Sequence, residues 1–392
     1  MQNPKIISQL KKDCCGCAAC LSICPCNAIL MEKDIEGFLY PHIDEAKCIK
    51  CGRCDMVCAF KQKDSNKRES TIMEQYAIKY KDDTVRLNSQ AGGSFAALAT
   101  YLLEKYENVS IYGASYYDVY KVKHISIHSK DEIDKLQGSK YIQSNMIGIY
   151  NSIERELNNN TIVMFAGTPC QSHAIKTYMI AKGISTTNLY LMDFICEGVA
   201  SPLVWEEYIK SVEKKYKGKV ESVIFRDKRL GWIGHYETIS ISNRKRKIAG
   251  RRWTNCFYDS LFFRESCHNC KYTSMNRESD ITVSWFGNVD RKIPGFDDDM
   301  GVSGIMINTE KGKKWFKGIS SDVVYIPVTM EDLMQKQLKH PIEKSELRAQ
   351  FWKEFLDGNK LEVLKKYDSG NTLKHRVKIA IKNIIQSEWK WI

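Results

Sequence analysis

Three features of the 392-residue sequence predict an α+β head, a larger α/β domain with a mostly parallel sheet, and a helical C-terminal segment. The first is a cysteine-dense beginning, with ten of the fifteen cysteines before residue 60. The second is an alternation of buried-type strands with helix-periodic stretches. The third is a highly charged, helix-periodic tail from Met330. The expected units are residues 1–65, 70–329 and 330–392, and this length suits two or three domains.

In the head, "DCCGCAACLSICPCNAI" (Asp13–Ile29) holds Cys14, Cys17, Cys20 and Cys24. A second run holds Cys48, Cys51, Cys54 and Cys58. Both follow C-x2-C-x2-C-x3-C. The two-residue gaps let three thiolates hold three corners of one iron–sulfur cube. In two-cluster ferredoxins the last cysteine of each run serves the other cluster. The head is therefore expected to be a bacterial-type ferredoxin domain with two 4Fe-4S clusters. Cys14, Cys17, Cys20 and Cys58 are assigned to the first, and Cys48, Cys51, Cys54 and Cys24 to the second. Cys15 and Cys26 fall out of register and are not counted as ligands. Pro25 fits the pattern, whereas Ala59 stands where a second proline is usual. Zinc also takes C-x2-C pairs, but needs neither the third cysteine at that spacing nor the fourth.

An odd number of cysteines cannot all pair, and in a long chain they point to metal or redox chemistry rather than disulfides. "MQNPKIISQLKKD" has no apolar signal core, and runs such as "TIVMFAG" (Thr161–Gly167) are far short of the roughly 20 residues that cross a bilayer. A soluble, cytoplasmic protein with no transmembrane segment is expected. The net charge of +12 favours anionic partners: acidic redox proteins, phosphorylated ligands or a membrane surface. Nucleic acid is not expected. The densest basic run, "NRKRKIAGRR" (Asn243–Arg252), reads as a hairpin turn with no nucleic-acid module around it.

After the polar boundary 61–71, "EQYAIKYKD" alternates as a strand, and "SQAGGSFAALATYLLEKY" is a Gly-Gly turn feeding a helix. "VSIYGASYYD" and "YKVKHISIHS" read as strands, and "KDEIDKLQGSKYIQS" as a helix ending near Gly138. "NSIERELNNN" is a helix leading into the buried strand 161–167. "TPCQ" then opens another helix, and "LYLMDFIC" is a second buried strand. In such sheets ligands gather at the carboxyl ends of strands. Cys170 and Cys196 lie there, Cys170 at a helix N-terminus that favours a thiolate. Cys267 and Cys270 form a further C-x2-C pair, and Cys256 is left over. Four such thiols can make a third metal site, but buried cysteines also serve as small apolar residues. The residues alone leave both open. Gly92–Gly93 before a helix suits a phosphate or is simply a tight turn. "FRDKR" (Phe225–Arg229) reads as a solvated charge run, with anion binding as the alternative, and His124, His128 and His235 as structural or surface residues.

These segments together resemble the beta subunit of coenzyme F-420 (deazaflavin) hydrogenase/dehydrogenase, in its bacterial, ferredoxin-fused form. The resemblance rests on "AGGSFAALATYLLE", "GSKYIQS", "FAGTPCQ", "DFICEGVASPLVWEEYI", "FRDKRLGW", "SCHNCKYTSMNRESDIT" and "PGFDDDMGVSGIMINTEKG", which occur in the family's order over most of residues 14–315. It implies an iron–sulfur flavoprotein oxidoreductase. A third 4Fe-4S cluster would lie on Cys170, Cys196, Cys267 and Cys270. A flavin (FAD) or phosphate would lie near Gly92, Gly93, Ser94, Ser139 and Lys140. Two departures stand close to the inferred centre. Ser284-Trp285-Phe286-Gly287-Asn288 replaces the family's Gly-Asp-Phe-Trp-Gly block, and Glu197 replaces a common histidine.

Two functions follow as expectations, with a redox-sensing or scaffold protein, whose clusters report oxidation, as a third. In the first, an enzyme passes electrons from a ferredoxin-type donor through the clusters to a flavin and a small substrate. The resemblance suggests a cell-surface-polysaccharide precursor as that substrate. In the second, an electron-transfer subunit without its own substrate serves a partner enzyme. A redox partner protein, ferredoxin or reductase, is expected either way. No catalytic residue is assigned. At the tail, "HRVKIAIKNIIQSEWKWI" places apolar residues from Val377 to Trp389 on one face. This suits docking on its own domain or a partner, or peripheral membrane contact.

Overall fold

The computed structural model describes residues 11–63, 70–245, 247–287, 289–370 and 377. The amphipathic face expected beyond Val377 lies outside the described residues.

The head is built on an antiparallel hairpin, β1 (Ile29–Lys33) and β2 (Leu39–Ile43). Asp34 closes its turn by accepting from the backbone N–H groups of Glu36 and Phe38, at 3.0 and 2.9 Å. Three short helices, Ala19–Ile23, Arg53–Met56 and Ala59–Gln62, carry or flank the cysteine runs.

The larger unit holds β3 (Glu74–Tyr80), β4 (Val109–Asp118), β5 (Lys121–Ile127), β6 (Ile162–Gly167), β7 (Leu189–Phe194), β8 (Val220–Ile224), β9 (Glu237–Ile241), β10 (Ile248–Gly250), β11 (Ile281–Trp285), β12 (Ser303–Ile307) and β13 (Val323–Pro327). Eight of these form one mixed sheet in the order β13-β3-β12-β11-β7-β6-β4-β5. Its centre is a parallel block, β4, β6, β7 and β11, and both flanks are antiparallel. The expectation of a mostly parallel sheet is corrected: three of the seven pairings are parallel. Connections decide this. Helix Pro169–Ala181 gives β6 and β7 the long crossover that parallel neighbours need, whereas β4 and β5 are joined by a two-residue turn.

Around the parallel block the elements match the sequence pattern, with one difference. The helix expected to end near Gly138 is only a 3-10 turn, Lys130–Lys135. The expected hairpin around the basic run is present as β9 and β10, which join β8 in a separate three-stranded sheet. That sheet packs on helix Pro202–Tyr216 and on the C-terminal helices Arg348–Asp357 and Lys360–Lys366. Trp205 and Trp253 meet edge to face at 4.8 Å in its core. The buried Cys256 thiol is aimed at the carbonyls of Leu364 and Tyr367, so it ties the last helix down.

The head is not separate from the body. Ile23, Val57 and Phe60 share a core with Tyr150, Ile153, Ala174 and Tyr178. Polar bonds cross the same contact: Tyr150 donates to Cys17 O at 2.8 Å, and Tyr272 donates to Ala59 O at 2.8 Å. Arg348 makes a two-pronged ion pair with Glu36 at 3.0 and 2.6 Å.

Candidate redox centres and the cavity beside them

The two cysteine runs fold around two voids. Cys14, Cys17, Cys20 and Cys58 line the first, with Gly16, Ala18 and Ala59 filling the narrow gaps. Cys48, Cys51, Cys54 and Cys24 line the second, beside Pro25 and Gly52. The last cysteine of each run thus reaches the void of the other. The electrostatics agree. Burial pushes the Cys20 thiol well up, and the sulfurs of Cys17, Cys14 and Cys58 push it further. Burial also pushes Cys58 up to about 11, with Cys17 and Cys14 among its neighbours. Cys24 Sγ accepts from Ala28 N–H at 3.3 Å, and Cys26 Sγ lies 3.8 Å from it.

A third void gathers the scattered cysteines. Gly167 ends β6, Thr168 caps the next helix through a reciprocal bond with Gln171, and Pro169 takes the first helical position. This local code puts Cys170 in the first turn. Since β6 and β7 are parallel neighbours, Cys196, just beyond β7, falls alongside. The 3-10 turn Glu265–Asn269 brings Cys267 and Cys270. All four line one void. Burial pushes Cys267 and Cys270 up to about 12, and Cys196 well up, with the other three sulfurs adding to Cys196. Thiolates here need a compensating cation. Cys15, expected to be a bystander, lines both the first and the third void. Its thiol donates toward Cys170 and holds the Cys170 thiol below its ordinary range, and Thr168 Oγ1 lies 3.2 Å from the same sulfur.

Arg264 was missed by sequence reasoning. It is fully buried between the first and third voids. Its Nε donates to Cys14 O at 2.7 Å, and Nη2 reaches Cys14 Sγ at 3.5 Å. Nη1 donates to Gln143 Oε1 at 3.0 Å, and the guanidinium lies 4.0 Å from the Tyr40 ring centre. Among the described residues no three His, Cys, Asp or Glu side chains converge on one point as the ligands of a single ion would.

Next to the third void, at the carboxyl end of the parallel block, lies a cavity of about 270 Å3. It is just below the roughly 300–1,000 Å3 usual for small-molecule sites. Ser94, Ser139 and Lys140 line it. Gly92 and Gly93 lie behind its wall rather than on it. Gly92 is glycine because β3 and β12 come too close for anything else: a Cβ there would stand 2.2 Å from Ile78 O and 2.7 Å from Ser303 N. Gly93 takes the left-handed conformation that starts helix Ser94–Lys105. Lys140 donates to the carbonyls of Leu136, Gln137 and Gly138, and burial of its amino group holds it down to about 7.

Five residues that line the cavity carry a buried polar atom with no hydrogen-bond partner: Gln90 Nε2, Ser94 Oγ, His124 Nδ1, Arg226 Nε and Ser284 Oγ. Buried polar groups are normally paired, so five unpaired atoms on residues around one cavity single out this region. His124 is informative. Burial holds it down to about 4, so it is neutral, and Nε2 donates to Ala166 O at 3.2 Å. Its Nδ1 is left as an acceptor.

The expectation that Phe225–Arg229 is a solvated charge run is corrected. Arg226, Asp227 and Lys228 are all buried. Asp227 accepts from Thr238, and Lys228 donates to the carbonyls of Arg86 and Ala91. Arg226 is stacked between Trp232 and Trp285, at 4.1 and 5.1 Å from the ring centres. The five-residue pattern carried no period that would have shown this.

No helix among the described residues is long and apolar enough to cross a membrane. The described residues thus form an α/β unit with three cysteine-lined voids, one of them beside a larger cavity. Residues 161–331 match the family described as the C-terminal part of the coenzyme F420 hydrogenase/dehydrogenase beta subunit. Among solved structures it is similar to a chain from the F420-reducing NiFe hydrogenase complex of Methanosarcina barkeri. The two are 16% identical with a TM-score of 0.47, over 74% of this chain and 91% of that one. No curated protein matches.

Proposed function

We propose that the chain is an iron–sulfur, flavin-dependent oxidoreductase that takes electrons from a ferredoxin-type donor at its head and delivers them to a small substrate in the cavity. Three four-cysteine sets would hold 4Fe-4S clusters: Cys14, Cys17, Cys20 and Cys58; Cys48, Cys51, Cys54 and Cys24; and Cys170, Cys196, Cys267 and Cys270. When bound, the clusters supply one-electron storage and a flavin supplies the junction to two-electron chemistry.

One observation carries this reading: the spaces adjoin. The first and third voids share Cys15 and Phe60. The third void and the cavity share Thr168, Gln171, Cys196, Glu197, Gly198 and Val199. A route therefore runs from the head to the cavity through walls one residue thick. The residues fit the groups. Each void is lined by the four assigned thiols and one more, Cys15 in the first and third and Cys26 in the second, and backbone or guanidinium N–H groups reach Cys14, Cys24 and Cys270. In the head, the repeated C-x2-C-x2-C-x3-C spacing supports a multi-iron cluster over a zinc ion, which would need only two C-x2-C pairs. The match of residues 161–331 to that family model supports an oxidoreductase.

The chain's own residues have definite tasks. Arg264 places a buried cation beside the Cys14 sulfur and against the third void, offsetting the charge of thiolate ligands. Phe60 and Tyr272 close the wall of the third void against water. Ser94 Oγ, His124 Nδ1 and Ser284 Oγ are placed to bind and orient a polar ligand in the cavity. These unpaired groups favour an enzyme over an electron-transfer subunit without a substrate site, since a chain with nothing to bind there would pay for them in stability.

Anaerobic purification followed by an optical spectrum, dithionite reduction and flavin extraction tests the proposal. Broad visible absorbance that bleaches on reduction, together with about one released flavin per chain, is expected. A flavin-free protein that still passes electrons to a carrier would instead establish the electron-transfer role alone.

A further inference from the structure

Phe194, Tyr258 and Trp285, the most exposed large hydrophobic residues of the cavity lining, are 36%, 37% and 38% exposed. Arg226 lines the cavity too, yet is only 6% exposed. Its position is heavily specified. Trp232 and Trp285 bracket the guanidinium, and Nη2 lies 2.6 Å from His235 Nε2. An arginine can only donate, so His235 accepts on Nε2 and carries its proton on Nδ1, which faces Tyr258 Oη at 3.3 Å. None of the described ion pairs involves Arg226, and its Nε has no hydrogen-bond partner. The nearby charges do not neutralise it. Arg251 and Lys228 are cationic in kind, and Arg86 is already paired with Asp298. The one carboxylate on the cavity wall, Glu197, accepts from Gln337 instead.

A buried, unpaired guanidinium held rigidly at the wall of a ligand cavity is costly unless an anion completes it. We propose that Arg226, between Trp232 and Trp285, binds the oxyanion of the substrate, a carboxylate or a phosphate, at the wall of the cavity. The altered block at 284–287 then has a role: it supplies Trp285 as the outer half of the bracket. The inference rests on the reading of this cavity as the substrate site, and makes that substrate an anionic small molecule. Arginine suits the task because its planar fork matches both oxyanions and stacks on aromatic faces.

The full chain, purified anaerobically, should be titrated with inorganic phosphate and separately with malonate, following tryptophan fluorescence against chloride at matched ionic strength. A saturable change with one of them is expected, and which one responds separates a phosphate-bearing from a carboxylate-bearing substrate. Arg226→Gln should weaken it at least tenfold. Trp285→Ala, at a partly exposed position where folding is not at stake, should weaken it several-fold when followed by calorimetry. Iron and sulfide measured on the same preparations keep the two readings apart: cluster loss contradicts the proposed function, whatever the titration shows. The oxyanion site is overturned if neither anion binds saturably, or if both variants bind as wild type does. It is also overturned if Arg226→Gln loses flavin while the wild type binds no added anion, which would give the arginine to the cofactor.

Discussion

Asp193 and Arg277 form an ion pair at 2.8 Å whose side chains are 0% and 2% exposed. Asp193 closes β7 three residues before Cys196, and Arg277 follows the Cys270 loop, so the pair fastens two parts of the third site together. Thr282 Oγ1 donates to Asp193 at 2.6 Å, and Arg277 donates to the carbonyls of Tyr272, Ser274 and Phe194. Asp193→Ala would leave the guanidinium buried and uncompensated, which costs about 3–5 kcal/mol. Arg277→Met would do the same to the carboxylate and also free the loop after Cys270. At roughly 2 °C per kcal/mol for a large chain, either single variant should lower the thermal midpoint by about 6–10 °C. The double variant, Asp193→Leu with Arg277→Met, leaves no orphan charge. It should cost well under the sum of the singles, with a coupling of more than about 1 kcal/mol. Differential scanning fluorimetry at fixed scan rate on anaerobic protein gives all three midpoints. A shift under about 2 °C in both singles, or simple additivity in the double, would refute the reasoning.

Other consequences follow from particular residues. Cys58→Ser should remove the cluster of the first run, costing about four irons. Adding Cys17→Ser should then cost no more iron, whereas adding Cys51→Ser should cost about four further; the reverse pattern would undo the crossed assignment. Burial holds the Lys140 amino group down to about 7, against roughly 10.4 in an unfolded chain. Between those values the unfolded chain binds the extra proton, so this lysine lets stability rise with pH and withdraws it as pH falls to about 7. The stability gap between wild type and Lys140→Met, measured at pH 7 and pH 9, should therefore move in wild type's favour at the higher pH, by up to about 1.4 kcal/mol per unit. A flat gap would mean that the amine is charged throughout. Gly92→Ala must push a methyl into backbone atoms of β3 and β12 and should cost about 2–3 kcal/mol, while Gly138→Ala, which meets open space, should cost about 1, its left-handed conformation being the only penalty. Urea titration of the two variants would show whether the close approach is real.

The legible parts of this protein are those written in local spacing. The cysteine runs lie in short windows, and the structure rings one void with Cys14, Cys17, Cys20 and Cys58 as the spacing suggested. The strand ends at 167 and 194 located Cys170 and Cys196, because β6 and β7 are buried runs joined by an ordinary crossover. Sheet direction was less legible. β12 turns back on β11 through pairings such as Trp285↔Ser303, but where β3 and β13 join depends on pairings between residues more than 200 positions apart. The cavity was least legible of all. Arg226 and Lys228 sit in a charged pentapeptide that gives no outward sign of burial, and Trp285 gains its meaning only from Arg226. Cys15 was set aside for being out of register, yet it lies between two voids because the head docks on the body. Of the Gly-Gly turn and its helix, Ser94 lines the cavity, while Gly92 serves the close approach of β3 and β12.

The central claim is that three cysteine-ringed sites, and not two, lead to the cavity. Iron and acid-labile sulfide per chain test it most directly, measured on anaerobic wild type and on Cys267→Ser. About twelve irons with matching sulfide in wild type, falling to about eight in the variant, is the predicted result. About eight in both would contradict it, leaving the third void without a cluster and the cavity without its link to the head.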